Sequence, residues 1–135
     1  MYSIYSSMRH ILIDNYNVSS SVGTDNIKVG YQRTITNFPC ISLFRAGSSS
    51  WGRLGYQQSS LGERDRVVDT MMQVDIFHDS IEELEILDDY VVKAIMASGQ
   101  TGHGYRLMSN PSGFDESYDC YRTIQTWLCS EIVQD

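Results

Sequence analysis

Cysteine is scarce here: Cys40, Cys120 and Cys129 are odd in number and far apart, and no CxxC or Cys/His cluster is present. That spacing excludes a disulfide framework and a zinc site, and the three are expected as buried or half-buried free thiols. Long apolar runs are missing too: none approaches the ~18 residues of a membrane span. The opening residues, MYSIYSSMRH, lack the charged-then-apolar layout of a secretory signal. A cytoplasmic protein with no membrane partner is the expectation. Positive charge is short as well, with 10 Lys and Arg against 17 Asp and Glu and a net charge of −7. This balance argues against a nucleic-acid grip built on phosphate contacts. It does not exclude a surface that DNA slides past without sticking.

Catalytic signatures are equally thin. His10, His78 and His103 pair with no Ser or Cys nucleophile at a recognisable spacing. Asp69, Asp75, Asp79, Asp88 and Asp89 are abundant but show no convergence, so a solvated acidic face is expected rather than a metal or acid/base pair. Gly99-Gln-Thr-Gly-His-Gly104 has the glycine count of a phosphate loop, but it follows a helix where such a loop precedes one, and it lacks the Lys-Ser/Thr ending. No catalytic, cofactor or metal residue is assigned.

What is present is the material of one domain. With 135 residues the chain can bury a single core, near the size at which a partner often helps. Residues 3–16 carry Ile4, Tyr5, Met8, Ile11, Leu12 and Tyr16 at helical spacing. Turn formers over 17–23 end that helix. A weak strand is predicted over 27–36, interrupted by Gly30, and Pro39 opens a strand over 40–45. The clearest strand is 67–78, where Val68, Thr70, Met72, Val74 and Ile76 alternate with Asp69, Met71, Gln73, Asp75 and Phe77. Ser80-Ile-Glu-Glu83 is a capping box that starts a helix over 81–98, with Ile81, Leu84, Leu87, Val91 and Ile95 as its core stripe and Gly99 as its stop. A short strand at 105–108 interrupts a loop-like stretch, and a last alternating strand begins near Ser117. The order predicts an α+β fold, two helices packed on one face of a mainly antiparallel sheet, with a long hairpin arm.

That arm, residues 46–66, is AGSSSWGRLGYQQSSLGERDR. Its Gly and Ser suit a flexible linker, but Trp51, Leu54, Tyr56 and Leu61 do not, because apolar side chains on a mobile loop need a surface to dock on. Charge is segregated there. Arg45, Arg53, Arg64 and Arg66 against Glu63 and Asp65 make 45–66 net +2, so the rest carries −9. Trp, Tyr and Arg are the residues enriched at interface anchors. The arm is expected to fold back on its own sheet or to dock on another subunit, and the second reading is preferred: Trp51, Arg53, Leu54, Tyr56, Arg64 and Arg66 are its candidate interface residues. A lid over a ligand-binding or catalytic pocket is the alternative, and needs a cluster of polar groups with shifted pKa values beneath it. A nucleic-acid accessory module needs a basic stripe that is absent.

The order of elements resembles the tail terminator (tail completion) family of long-tailed bacteriophages, or a related neck or head–tail joining protein. The resemblance is carried by the amphipathic first helix, the strand Phe38-Pro-Cys-Ile-Ser-Leu-Phe44, the hairpin excursion and the strand Met72–Phe77. It continues through the run His78–Ile95, a strand delivering into a helix, and the closing strand Tyr121-Arg-Thr-Ile-Gln-Thr-Trp127. It spans nearly the whole chain and implies a structural virion protein, not an enzyme. Such proteins form a ring, usually of six subunits, on the head-proximal end of the tail tube. The ring ends tube polymerisation and offers the head its joining surface. The implied partners are further copies of the chain, the tail tube protein and a head-completion (stopper) or connector protein. DNA passes through the lumen without specific binding. The implied location is the tail–neck region of the virion, with assembly in the host cytoplasm.

Overall fold

The computed structural model describes residues 4–30, 32–53, 65–98 and 103–134. The α+β fold is as expected, with three α-helices rather than two among the described residues: α1 (Ile4–Asp14), α2 (Tyr16–Val22) and α3 (Ile81–Ala97). Among the described residues six strands, β1 (Ile27–Val29), β2 (Cys40–Arg53), β3 (Asp65–His78), β4 (His103–Ser109), β5 (Ser112–Asp115) and β6 (Cys120–Gln134), make one sheet in the order β1-β2-β3-β6-β4. β5 pairs with β6 beyond the end of β4. β1 lies parallel to β2, and every other described pairing is antiparallel.

The helices share one face of this sheet because strand alternation delivers its apolar residues there. Ile41 and Leu43 of β2, Met72, Val74 and Ile76 of β3, and Trp127 and Cys129 of β6 form one buried cluster with Met8, Leu12, Val18, Val22, Leu84, Leu87, Val91 and Ile95. Met8 and Leu12 are one helical turn apart on α1, as the periodicity predicted. Of Ile4 only the backbone is described. Tyr5 adds a polar tie, its hydroxyl accepting the Arg45 N–H at 2.9 Å.

Three expectations are corrected. The turn formers over 17–23 build α2, because Asn15 breaks the first helix and caps the second, its Oδ1 accepting the Val18 N–H at 3.2 Å. Val18 and Val22 then share a buried face one turn apart, and that burial outweighs the weak helix propensity of Asn, Ser and Val. Tyr16, assigned to the apolar face of the first helix, starts the second one instead and is 79% exposed. The weak strand over 27–36 shrinks to three residues, because Gly30 takes φ +101° and turns the chain away after pairing its N–H to Leu43 O.

The capping box forms as expected, with Ser80 Oγ accepting the Glu83 N–H at 3.4 Å. Ser98 is the C-cap of α3, and Gly99 lies outside the described residues. The three cysteines are free and buried. Burial pushes the Cys40 thiol up and the Cys120 thiol to about 11. A thiol-alkylating reagent at neutral pH should therefore leave all three untouched in the native protein and label all three in urea, as read by intact mass.

Candidate assembly interface

β2 and β3 have 14 residues each and β6 has 15, so at ~3.3 Å per residue these strands run about 46 Å or more. The 17 residues of α3 span about 25 Å. Among the residues whose burial is described, Thr70 and Cys129 mark the last buried level toward the arm. Beyond it the register continues as backbone: Ser49↔Asp69, Ser50↔Val68 and Arg53↔Arg66 between β2 and β3, and Val67↔Ile132, Arg66↔Val133 and Asp65↔Gln134 between β3 and β6. The two roots of the arm are thus strand. The last third of β6, Ser130–Gln134, pairs with the root on β3 and was not assigned to the arm from sequence.

Of the six candidate interface residues, Trp51 and Arg53 lie on β2 and Arg66 on β3, and what is described of them is their backbone. Trp51 falls at a register irregularity between Ser50 and Arg53. Arg53 and Arg66 are brought directly opposite one another. Leu54, Tyr56 and Arg64 lie outside the described residues. Among the described residues no strand pairs with the outer edge of β2 beyond Leu43.

The sheet face away from the helices carries a site that composition did not show. Asp75, expected on a solvated acidic face, is 1% exposed. Arg122 is the reason. It ion-pairs with Asp75 through Nη2 and with Asp115 through Nη1 at 2.8 Å, while Gln73 Nε2 donates to Asp75 at 2.9 Å. Its guanidinium lies 5.3 Å from the Phe77 ring centre and 5.5 Å from that of Tyr118, whose hydroxyl donates to Gln32 O at 2.7 Å. Tyr118 thereby ties the 115–119 turn to the chain after Gly30 and to the Phe77 ring, and Ser42 Oγ donates to Gly30 O at 2.7 Å. Burial pushes the Asp75 carboxyl up, opposed by Gln73 and Arg122. The Arg122 bond holds Asp115 below the usual range. Burial opposes the charge of Arg122, and its two carboxylates outweigh that and raise its pKa. Asp88 also leaves the solvated set, because its Oδ1 accepts Gln125 Nε2 at 2.7 Å and its Oδ2 accepts Asn110 Nδ2 at 3.0 Å. Asp79 and Asp89 are exposed as expected.

A shallow open cleft of about 280 Å³ lies beside this cluster, lined by 111–116, Arg122 and Ile124. Both carboxylate-bonded nitrogens of Arg122 are already engaged, and the arrangement is that of a structural ion cluster. Among the described residues no group of His, Cys, Asp and Glu is placed to hold a metal ion, and no helix is long and apolar enough to cross a membrane.

No protein-family model matches the sequence, and no curated protein matches it in sequence. The fold is shared with a chain of the virion of a native gene transfer agent particle, with a TM-score of 0.73 at 10% identity over 97% of this chain and 96% of that one.

Proposed function

We propose that this chain is a structural virion protein that forms a ring, of six copies, at the head-proximal end of a phage tail tube. The ring ends tube polymerisation and offers the head-completion or connector protein its joining surface. The observation that carries this reading is the likeness of fold, end to end, to a chain of a gene transfer agent virion particle. The strands add a physical reason, since β2, β3 and β6 are each longer than α3 and, among the described residues, no strand pairs with the outer edge of β2 beyond Leu43, where a neighbour could add. An acidic body gives a lumen that repels DNA and lets it pass. The head-proximal site, the tube partner and the copy number follow the family resemblance of the sequence. A neighbouring neck or head-closure ring of similar fold is the nearest alternative.

In this reading residues 46–66 are the assembly arm, with Trp51, Leu54 and Tyr56 as anchors and Arg53, Arg64 and Arg66 meeting acidic surface on a partner. The mass of the purified protein, alone and with tail tube protein added, tests it: a ring-sized species in either sample supports assembly, and a monomer that ignores the tube sinks it. Replacing Trp51 and Tyr56 together with Ser should leave a folded monomer, by circular dichroism, that no longer forms rings or binds tubes. Loss of the fold would instead make the arm part of the core.

A further inference from the structure

The geometry points to the outer edge of β5 and the cleft beside it as a strand-addition site, for an extended partner segment whose side chains alternate basic and apolar. This rests on the ring reading above and gives the ring a joining surface at the end opposite the arm. β3 pairs along one side of β6 as far as Tyr121. β5 therefore takes the other side, beyond the end of β4, and among the described residues no strand pairs with its outer edge. The Ile124 N–H donates to Pro111 O at 2.9 Å, which sets the phase of the ladder. Bonded pairs alternate between antiparallel strands, so Gly113 bonds Arg122, and the N–H and C=O of Ser112 and Phe114 point outward. No described group bonds them. The chain ends that border 54–64 and 99–102 are paired at the far end of the sheet. Asp65 pairs with Gln134 and His103 with Glu131, about 26 Å or more along β6 from Thr123. Tyr5 and Gly30, near residues 1–3 and 31, are bonded to Arg45 and Leu43 of β2, on the opposite side of the sheet.

An added strand finds a surface on both of its faces. On the helix-free face the cleft of about 280 Å³ opens over Gly113, where an added Cβ would have no other atom within 4 Å. Arg122 and Ile124 line it. On the helix face Phe114 lies opposite Tyr121, its ring edge-on at 5.3 Å between centres, and is 53% exposed. Successive side chains of a strand point to opposite faces, so a docked segment lays one in the cleft and the next on Phe114. Charge selects the first of these. Arg122 is already matched by Asp75 and Asp115, while Glu116 on the cleft wall and Asp119 in the turn beyond it are exposed. A lysine or arginine stem fits over Ile124 with its charge toward Glu116. The Phe114 ring selects an apolar side chain for the other face.

The test is an NMR titration of the full chain with a short, end-capped peptide of alternating lysine and valine. Amide shifts should be confined to 111–116 and the facing part of β6, and exchange of the Ser112 and Phe114 N–H should slow. Gly113→Leu fills the cleft without meeting another atom of the free chain, and should weaken binding about tenfold or more. Phe114→Ser, at an exposed position, should weaken it similarly and serves if the leucine variant does not fold. A peptide of alternating glutamate and valine should not bind. Shifts scattered over the acidic surface and unchanged by Gly113→Leu would mean charge attraction alone and overturn the site, as would no shift at millimolar peptide. The ring is read separately, by mass. Peptide binding at β5 in a chain that stays a monomer with tail tube protein keeps the site and sinks the ring, and a ring that ignores the peptide does the reverse.

Discussion

Arg122→Met should destabilise the protein by about 3–5 kcal/mol at neutral pH, the usual cost of removing one partner from a buried ion pair. The arginine side chain is 16% exposed and that of Asp75 only 2%, so water cannot take over the pairing. Methionine fills most of the volume and keeps contact with Phe77 and Tyr118, which isolates the loss of charge. The effect should also depend on pH. The folded pKa of Asp75 is raised, so the folded state binds its proton first, and the penalty for its charge is complete above that pKa and fades as pH falls through it. Asp115 has the opposite sign: its pKa is depressed, so its contribution is present above the unfolded value and lost as pH falls through the folded one. Without Arg122, Asp75 rises further and Asp115 loses the main cause of its depression. The deficit of the variant should therefore be largest at neutral pH and shrink in mildly acidic solution, as pH falls through the raised pKa of Asp75. Urea melts at the two pH values check this, and a deficit that is small or independent of pH would show that the cluster is not held by charge.

Trp127→Ala should cost a similar amount, about 3–5 kcal/mol, by leaving a large cavity under α3. Trp127 is fully buried and sits on β6 opposite Met72 of β3 and Leu107 of β4. Its Nε1 donates to Gln125 Oε1 at 2.9 Å, and Gln125 in turn donates to Asp88 on α3. This chain of bonds joins the helix to the middle of the sheet through a glutamine that is itself fully buried. Trp127→Phe keeps most of the volume but leaves Gln125 Oε1 without its donor, and should cost about 1–3 kcal/mol. Against a total stability of about 5–15 kcal/mol for a domain of ordinary size, the alanine variant should melt at markedly lower urea than the phenylalanine one. Equal costs would mean that the hydrogen bond, not the packing, dominates at this position.

The contrast between these two positions and the rest of the chain separates what was local from what was not. β3 was legible because its alternation of Val, Thr, Met and Ile against Asp and Gln has one physical solution, a strand half-buried under helices. α3 was legible because Ser80 and Glu83 cap it and its apolar residues keep helical spacing. The thiols were legible from number and spacing alone. In each case the deciding interaction lies within a few residues of chain, or depends only on composition. α2 was not legible, since the weak helix propensity of its Asn, Ser and Val residues is overridden by the burial of Val18 and Val22 against distant residues.

The sequence by itself determined the α+β class, the order of the main elements, the core stripes of β3 and α3 and the segregation of positive charge into 45–66. All of these follow from periodicity and composition, which need no knowledge of what lies across the fold. Tertiary structure alone decided the fates of Asp75 and Arg122, 47 residues apart, and of Gln125 and Asp88, 37 apart. It also decided that β6 pairs along the root of the arm on β3, and that Arg53 and Arg66 are partners in the backbone register. The physical reason is common to all four. Whether a charged or amide side chain is solvated or paired depends on how distant segments are brought together, and strand register is fixed only when the whole sheet packs its apolar face.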